Sequence, residues 1–196
     1  VSSFLDEPVR GFLDQLAART PTPGGGGAAA VTGAMAAGLV AMAARFSATR
    51  LPDAGELADQ ADELRRRLAQ LAEKDAQAYA AVLEALRLPR DASEREVQRQ
   101  EALLGAALVP LEIAGIGARV ALMAARLAET GNPNLRGDAV TGAVLAAASA
   151  RSAASLVDIN VELGGLDPGL SQRAAQAAAD ADDAGDAARR ASVAGL

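Results

Sequence analysis

The sequence predicts an all-α fold, a single multi-helix and mostly up-and-down bundle of long, alanine-rich helices. Three observations carry that expectation. Leu57, Ala61, Leu64, Leu68, Leu71, Asp75, Ala78 and Val82 recur at alternating three- and four-residue spacing, which marks one buried helix face. Short breaks of Pro, Gly, Asn and Asp separate the long segments. No period-two alternation persists long enough for a sheet.

Taken in order, residues 3–19 read as a first helix, with Asp6, Glu7 and Pro8 near its start and Phe12, Leu13 and Leu16 on its apolar side. Pro21-Thr22-Pro23-Gly24-Gly25-Gly26-Gly27 breaks it. Helix two runs from Ala28 to Ser47. Gly33 and Gly38 interrupt it at about 1 kcal/mol each relative to alanine, which fits close helix packing, with close approach to a ligand as the alternative. Asp53 and Glu56 have capping-box spacing before helix three, which ends ahead of Leu88-Pro89-Arg90. Ser93 and Glu96 offer a second capping box for helix four, which extends to Thr130 with Pro110 kinking or dividing it. Gly131-Asn132-Pro133-Asn134 precedes helix five, Arg136 to Leu163, and the glycine-rich run 164–169 ends that helix. A less certain terminal helix, 168–192, has a thin apolar stripe. Its Asp180, Asp182, Asp183 and Asp186 are expected to face solvent, with fraying beyond Asp183. Because the breaks are short, residues 1–196 read as one domain.

Composition narrows the chemistry. The 196 residues contain no Cys and no His, which excludes disulfides, thiolate nucleophiles, His-based triads and the usual zinc sites. Lys74 is the only lysine, so proton transfer falls to Asp, Glu, Tyr79 or Lys74. A net charge of −6, with no basic run interleaved with aromatics, argues against nucleic-acid binding. No metal site is expected, because the acidic residues lack calcium-loop spacing. The most apolar stretch, Ala28 to Ala44, is short for a membrane span and reads as a buried helix. No secretory signal pattern is visible, so no membrane partner and a cytoplasmic location are expected.

The glycine run is a candidate anion seat. Glycines permit close backbone approach, and the first N–H groups of the following helix have no internal partners. Asp75 falls where the helix-three seam calls for an apolar residue. It is either a polar interhelical contact or a ligand and proton-transfer group, and the second reading is favoured. Tyr79, four residues on, lies on the same face and offers an aromatic wall or core packing. Asn132, Asn134 and Asp138 gather polar side chains at one break, as a turn and helix cap or as recognition groups for a heterocycle. Arg151 and Arg99 are candidate anion partners, and Asn160 lies near the end of helix five. Arg65-Arg66-Arg67 reads as a solvated face, and Glu112 sits among apolar residues after Pro110.

Several separated pieces then align in one order. They are the segments Phe12–Ala17, Pro21–Gly26 and Asp75–Tyr79, then Leu88-Pro89-Arg90 and Val109-Pro110-Leu111, then Gly131-Asn132-Pro133-Asn134, Gly137-Asp138 and Ile159-Asn160. This set, from about residue 3 to 165, resembles the formiminotetrahydrofolate cyclodeaminase/methenyltetrahydrofolate cyclohydrolase family. The resemblance implies an all-helical homodimer that acts on a tetrahydrofolate derivative, with no metal or separate redox cofactor. It implies hydrolysis of 5,10-methenyltetrahydrofolate to the 10-formyl form. Ammonia-releasing cyclodeamination, or a folate-binding or structural homologue without turnover, remain the alternatives. By the same resemblance the glycine-rich turn maps onto Gly24, Gly25 and Gly26, the acidic residue of helix three onto Asp75, the polar turn onto Asn132 and Asn134 followed by Asp138, and the late asparagine onto Asn160. Asp75 or Asp138 is then expected to stabilise the substrate cation and orient a water, one of the two carboxylates accepting its proton. The chain departs from the family in three places: residues 46–52 carry no lysine, Leu156 replaces an asparagine, and Gly137-Asp138 stands for Ser-Asp.

Overall fold

The computed structural model describes residues 6–89 and 94–193. They form α1 (Val9–Ala17), α2 (Gly25–Arg45), α3 (Ala54–Arg87), α4 (Arg95–Thr130), a short 3₁₀ turn (Pro133–Leu135), α5 (Arg136–Gly164) and α6 (Gly169–Val193). The bundle is all-α and mostly up-and-down, as the spacing predicts. Helices α2, α3, α4 and α5 pack side by side, and α6 closes over α4 and α5. The helix-three seam is the core-facing stripe: Leu57, Ala61, Leu64, Leu68 and Leu71 are buried, and so is Val82. Alanines from α2, α4, α5 and α6 supply most of the remaining core.

Small residues set the interhelical distances. A Cβ on Gly117 of α4 would lie 3.1 Å from the Ala146 carbonyl and 3.1 Å from the Ala150 methyl of α5. A Cβ on Gly33 of α2 would meet the Ser149 hydroxyl at 2.8 Å and Leu68 at 3.1 Å. Gly33 is therefore a packing glycine. The buried Ser149 hydroxyl donates to the Ala29 carbonyl at 2.7 Å, so no polar atom is stranded there.

The structure corrects several local expectations. α1 is shorter than 3–19, starting after Pro8 and ending before an extended Ala18; residues 1–5 lie outside the described residues. Gly25, Gly26 and Gly27 form the first turn of α2 and are not a loop. Asp53 makes no capping bond; its carboxylate instead takes a two-pronged interaction from Arg126 at 2.7 and 2.9 Å, tying the start of α3 to the end of α4. Ser93 lies outside the described residues, so the second capping box does too. Pro110 does not divide α4, which runs unbroken from Arg95 to Thr130. α6 does not fray at Asp183: Ala181, Ala184 and Ala188 are core residues, and Asp182 pairs with Arg151. Arg65-Arg66-Arg67 stays solvent-accessible as expected, but two of its members are paired there: Arg65 bonds Asp62, and Arg67 grips Glu112 at 2.5 and 2.8 Å.

Among the described residues, three helical stretches are long and apolar enough to cross a bilayer: Gly25–Arg45, Arg95–Thr130 and Pro133–Gly164. Half or more of each apolar window is buried against the rest of the bundle.

Candidate functional site

The start of α2 has no cap of its own, because Gly24 has no side chain to offer. Asp75 of α3 supplies one across the helix pair. The Gly27 N–H donates to Asp75 Oδ2 at 3.1 Å. Gly26 makes room for this carboxylate: a Cβ there would lie 2.0 Å from Oδ1 and 2.3 Å from Cγ. The anion seat expected for a ligand is thus filled by the protein's own carboxylate. Burial pushes the Asp75 carboxyl above its ordinary value, and the Gly27 N–H pulls more weakly the other way. A carboxyl held in this way is suited to trading protons nearer neutrality than an exposed aspartate.

Asp75 opens onto a cleft of about 510 Å³, lined also by Pro21, Gly24, Gly25, Gly26, Tyr79 and Asn160. Val82, Leu86, Leu103, Leu156, Ile159 and Leu163 give it apolar walls. That size and composition suit a small organic ligand held by a few polar groups. Tyr79 lines the cleft and is exposed there.

Asn160 is fixed by a consequence of Pro110. In an α-helix the N–H of residue 110 would bond the carbonyl of Ala106, and proline has none. The freed Ala106 carbonyl instead accepts from Asn160 Nδ2 at 2.9 Å. The amide nitrogen is so engaged, and among the described residues the Asn160 carboxamide oxygen has no partner.

The other expected site residues lie elsewhere in the chain. Asn132 and Asn134 form a turn: Asn132 Oδ1 accepts from the Asn134 N–H at 3.0 Å, and Asn132 Nδ2 donates to the Phe46 carbonyl at 3.0 Å. The Asn132 N–H donates to the buried Ser47 hydroxyl at 2.8 Å. These contacts place the turn just past the C-terminal end of α2. The 21 residues of α2 put that end about 30 Å from the glycines. Asp138, in the first turn of α5, lies at the same far end, so within one chain it does not join Asp75. The lysine-free stretch 46–52 also lies there. Arg151 pairs with Asp182 at 3.4 Å, away from the cleft. Arg99 sits at the rim, held by Glu96 and donating to the Leu163 carbonyl at 2.7 Å.

Sequence reasoning missed the cleft's apolar walls. A signal existed in the i, i+4 spacing of Ile159 and Leu163 and the i, i+3 spacing of Leu103 and Ala106, but such pairs read equally as core. It also missed the link between Pro110 and Asn160, which lie fifty residues apart in sequence.

The bundle and cleft define an all-α protein in which a partly buried carboxylate, seated at a glycine-rich helix start, faces a cleft of ligand size. The chain belongs to the formiminotransferase-cyclodeaminase family, whose model matches residues 8–179. It is 38% identical over 172 residues to a methenyltetrahydrofolate cyclohydrolase of Methylorubrum extorquens, a match covering 83% of this chain and 82% of that protein. It is 34% identical over 145 residues to the mouse formimidoyltransferase-cyclodeaminase, covering 66% of this chain but only 26% of that longer protein. Its fold matches the crystal structure of formiminotetrahydrofolate cyclodeaminase from Thermotoga maritima with a TM-score of 0.86 and 27% identity, over 95% of this chain and 96% of that one.

Proposed function

We propose that this protein hydrolyses 5,10-methenyltetrahydrofolate to 10-formyltetrahydrofolate in one-carbon metabolism. The observation that carries this reading is Asp75, a partly buried carboxylate with a raised pKa, seated where Gly26 leaves room for it and facing an apolar cleft. The similarity to the Methylorubrum cyclohydrolase along most of both chains supports it.

The methenyl carbon is a cationic amidine carbon and needs only a positioned water and a base. The folate ring system lies against Tyr79 and the apolar wall, and Asn160 Oδ1 accepts from one of its N–H groups. Water adds to the methenyl carbon as its proton passes to Asp75. The adduct's C–N5 bond breaks, and the adduct's hydroxyl proton ends on N5. Asp75 then releases the first proton to solvent, so one proton leaves per turnover. The carboxylate also stabilises the bound cation before attack. No metal or redox cofactor enters this scheme, and the cytoplasm is the compartment the reading assigns.

Cyclodeamination is the second reading, supported by the names of the mouse relative and of the Thermotoga structure. Purified protein offered each substrate separately decides between them. The proposal expects loss of methenyl absorbance above the spontaneous rate and no ammonia from the formimino form. Ammonia release would replace it with cyclodeamination, and binding without turnover would replace it with an inactive homologue.

The same reading includes a homodimer. On their outward side α2 and its C-cap residue present Met35, Leu39, Met42 and Phe46 in one stripe, with Met35 and Phe46 more than half exposed. Two copies related by an axis perpendicular to α2 would set these stripes antiparallel. The partner subunit's Asn132, Asn134 and Asp138 would then lie near this chain's glycine end. Sedimentation of wild type and Met35→Asp tests this arrangement: a dimer that Met35→Asp dissociates supports it, and a wild-type monomer removes it.

A further inference from the structure

A second groove, of about 890 Å³, lies between α3, α4 and α6 and shares no lining residue with the Asp75 cleft. Its floor is apolar, with Leu64, Leu111 and Ile116 all buried. Its walls carry four arginines: Arg66 and Arg67 from α3, Arg119 from α4 and Arg173 from α6. Among the described residues, only two carboxylates line it. Glu112 is consumed by its two bonds to Arg67, and Glu63 is exposed. Among the described residues, no carboxylate pairs with Arg66, Arg119 or Arg173. Among the same residues Arg45, Arg65, Arg87, Arg99, Arg126 and Arg151 each pair with an acid, while Arg10, Arg19, Arg50 and Arg190 do not; what marks the groove is that its unpaired arginines share one apolar-floored surface.

This concentration of positive charge is physically informative. The chain carries a net charge of −6, so acids are abundant for pairing, yet three exposed arginines from three helices line this one groove without an ion pair. Like charges brought together over a low-dielectric floor repel one another and raise the local potential. That arrangement is relieved by an anion that bridges them, and guanidinium forks match carboxylate and phosphate oxygens in pairs. The groove floor also leaves space: a Cβ on Gly115 would meet nothing within 4 Å.

We propose that this groove binds a small organic polyanion, with two or more carboxylate or phosphate groups on Arg66, Arg119 and Arg173 and an apolar portion on the Leu64–Leu111–Ile116 floor. The inference does not depend on the folate reading, because no groove residue lines the Asp75 cleft.

The test titrates the full chain, at low salt, with two probes by calorimetry: tricarballylate for a carboxylate ligand and tripolyphosphate for a phosphate ligand. Binding of at least one probe at sub-millimolar concentration, weakening with added salt, is expected. An Arg66→Ala/Arg119→Ala/Arg173→Ala variant changes only exposed side chains and should lose at least tenfold in affinity. Gly115→Phe should also block the probe by filling the groove, without altering its charge. Methenyl-folate hydrolysis should be unchanged in both variants. Failure of both probes to bind wild type, or equal binding by both variants, overturns the proposal. If instead the arginine variant changes the oligomeric state, the groove is a protein interface, and the small-ligand proposal falls.

Discussion

Gly26 and Asp75 occupy one volume: a Cβ on Gly26 would stand 2.0 Å from Asp75 Oδ1. Gly26→Ala should therefore evict the carboxylate from the start of α2 and behave in activity like Asp75→Ala. General-base losses of this kind run at about 10²–10⁴-fold. Since the two substitutions remove the same arrangement, the double variant should be no slower than the worse single one. Hydrolysis rates of the three proteins check this; additive losses would separate the two residues.

The burial of Asp75 makes a stability prediction with a definite sign. Its folded pKa is raised, so its stabilising contribution is complete below the unfolded value and is lost as pH rises through the folded one. Asp75→Asn keeps an oxygen for the Gly27 N–H and carries no charge. The variant should melt higher than wild type at neutral pH, and that advantage should vanish below the ordinary aspartate value of about 3.9. Thermal melts across pH measure it.

The bond between Asn160 and Ala106 depends on a missing N–H. Pro110→Ala restores a donor that competes for the Ala106 carbonyl, and it frees the Asn160 side chain to turn. KM should rise several-fold with kcat changed less, while the helix itself gains stability. Asn160→Ala should raise KM at least as much. A fall in kcat with KM unchanged in both variants would contradict a binding role for Asn160.

Gly117 sets the α4–α5 spacing, far from any proposed chemistry. Gly117→Ala forces a methyl to 3.1 Å from the Ala146 carbonyl and should cost about 1–3 kcal/mol. Denaturant unfolding reads the loss, and the folded fraction should retain its turnover.

The fold was legible because helix periodicity and breaks are local. The Leu57–Val82 seam placed α3 and marked Asp75 as an exception, and the structure gives that exception its partner in Gly27. What local reading missed was whatever depends on neighbours. Three glycines in a row look like a loop until another helix lends them a cap. Asp53 looks like a cap until Arg126 claims it. Asn132, Asn134 and Asp138 look like site residues beside Asp75 because sequence order carries no distance, and α2 sets them about 30 Å apart in the chain. The resemblance supplied the ligand class; the spacing alone supplied only a carboxylate out of place.

The most direct measurement compares the rate of methenyltetrahydrofolate hydrolysis by wild type and Asp75→Asn across pH, after subtraction of the spontaneous reaction. The account predicts an acid limb in wild type displaced above the usual carboxylate range, and a loss of about 10²-fold or more in the variant together with that limb. A variant that keeps wild-type rate and pH profile would contradict the assignment of Asp75 as the base.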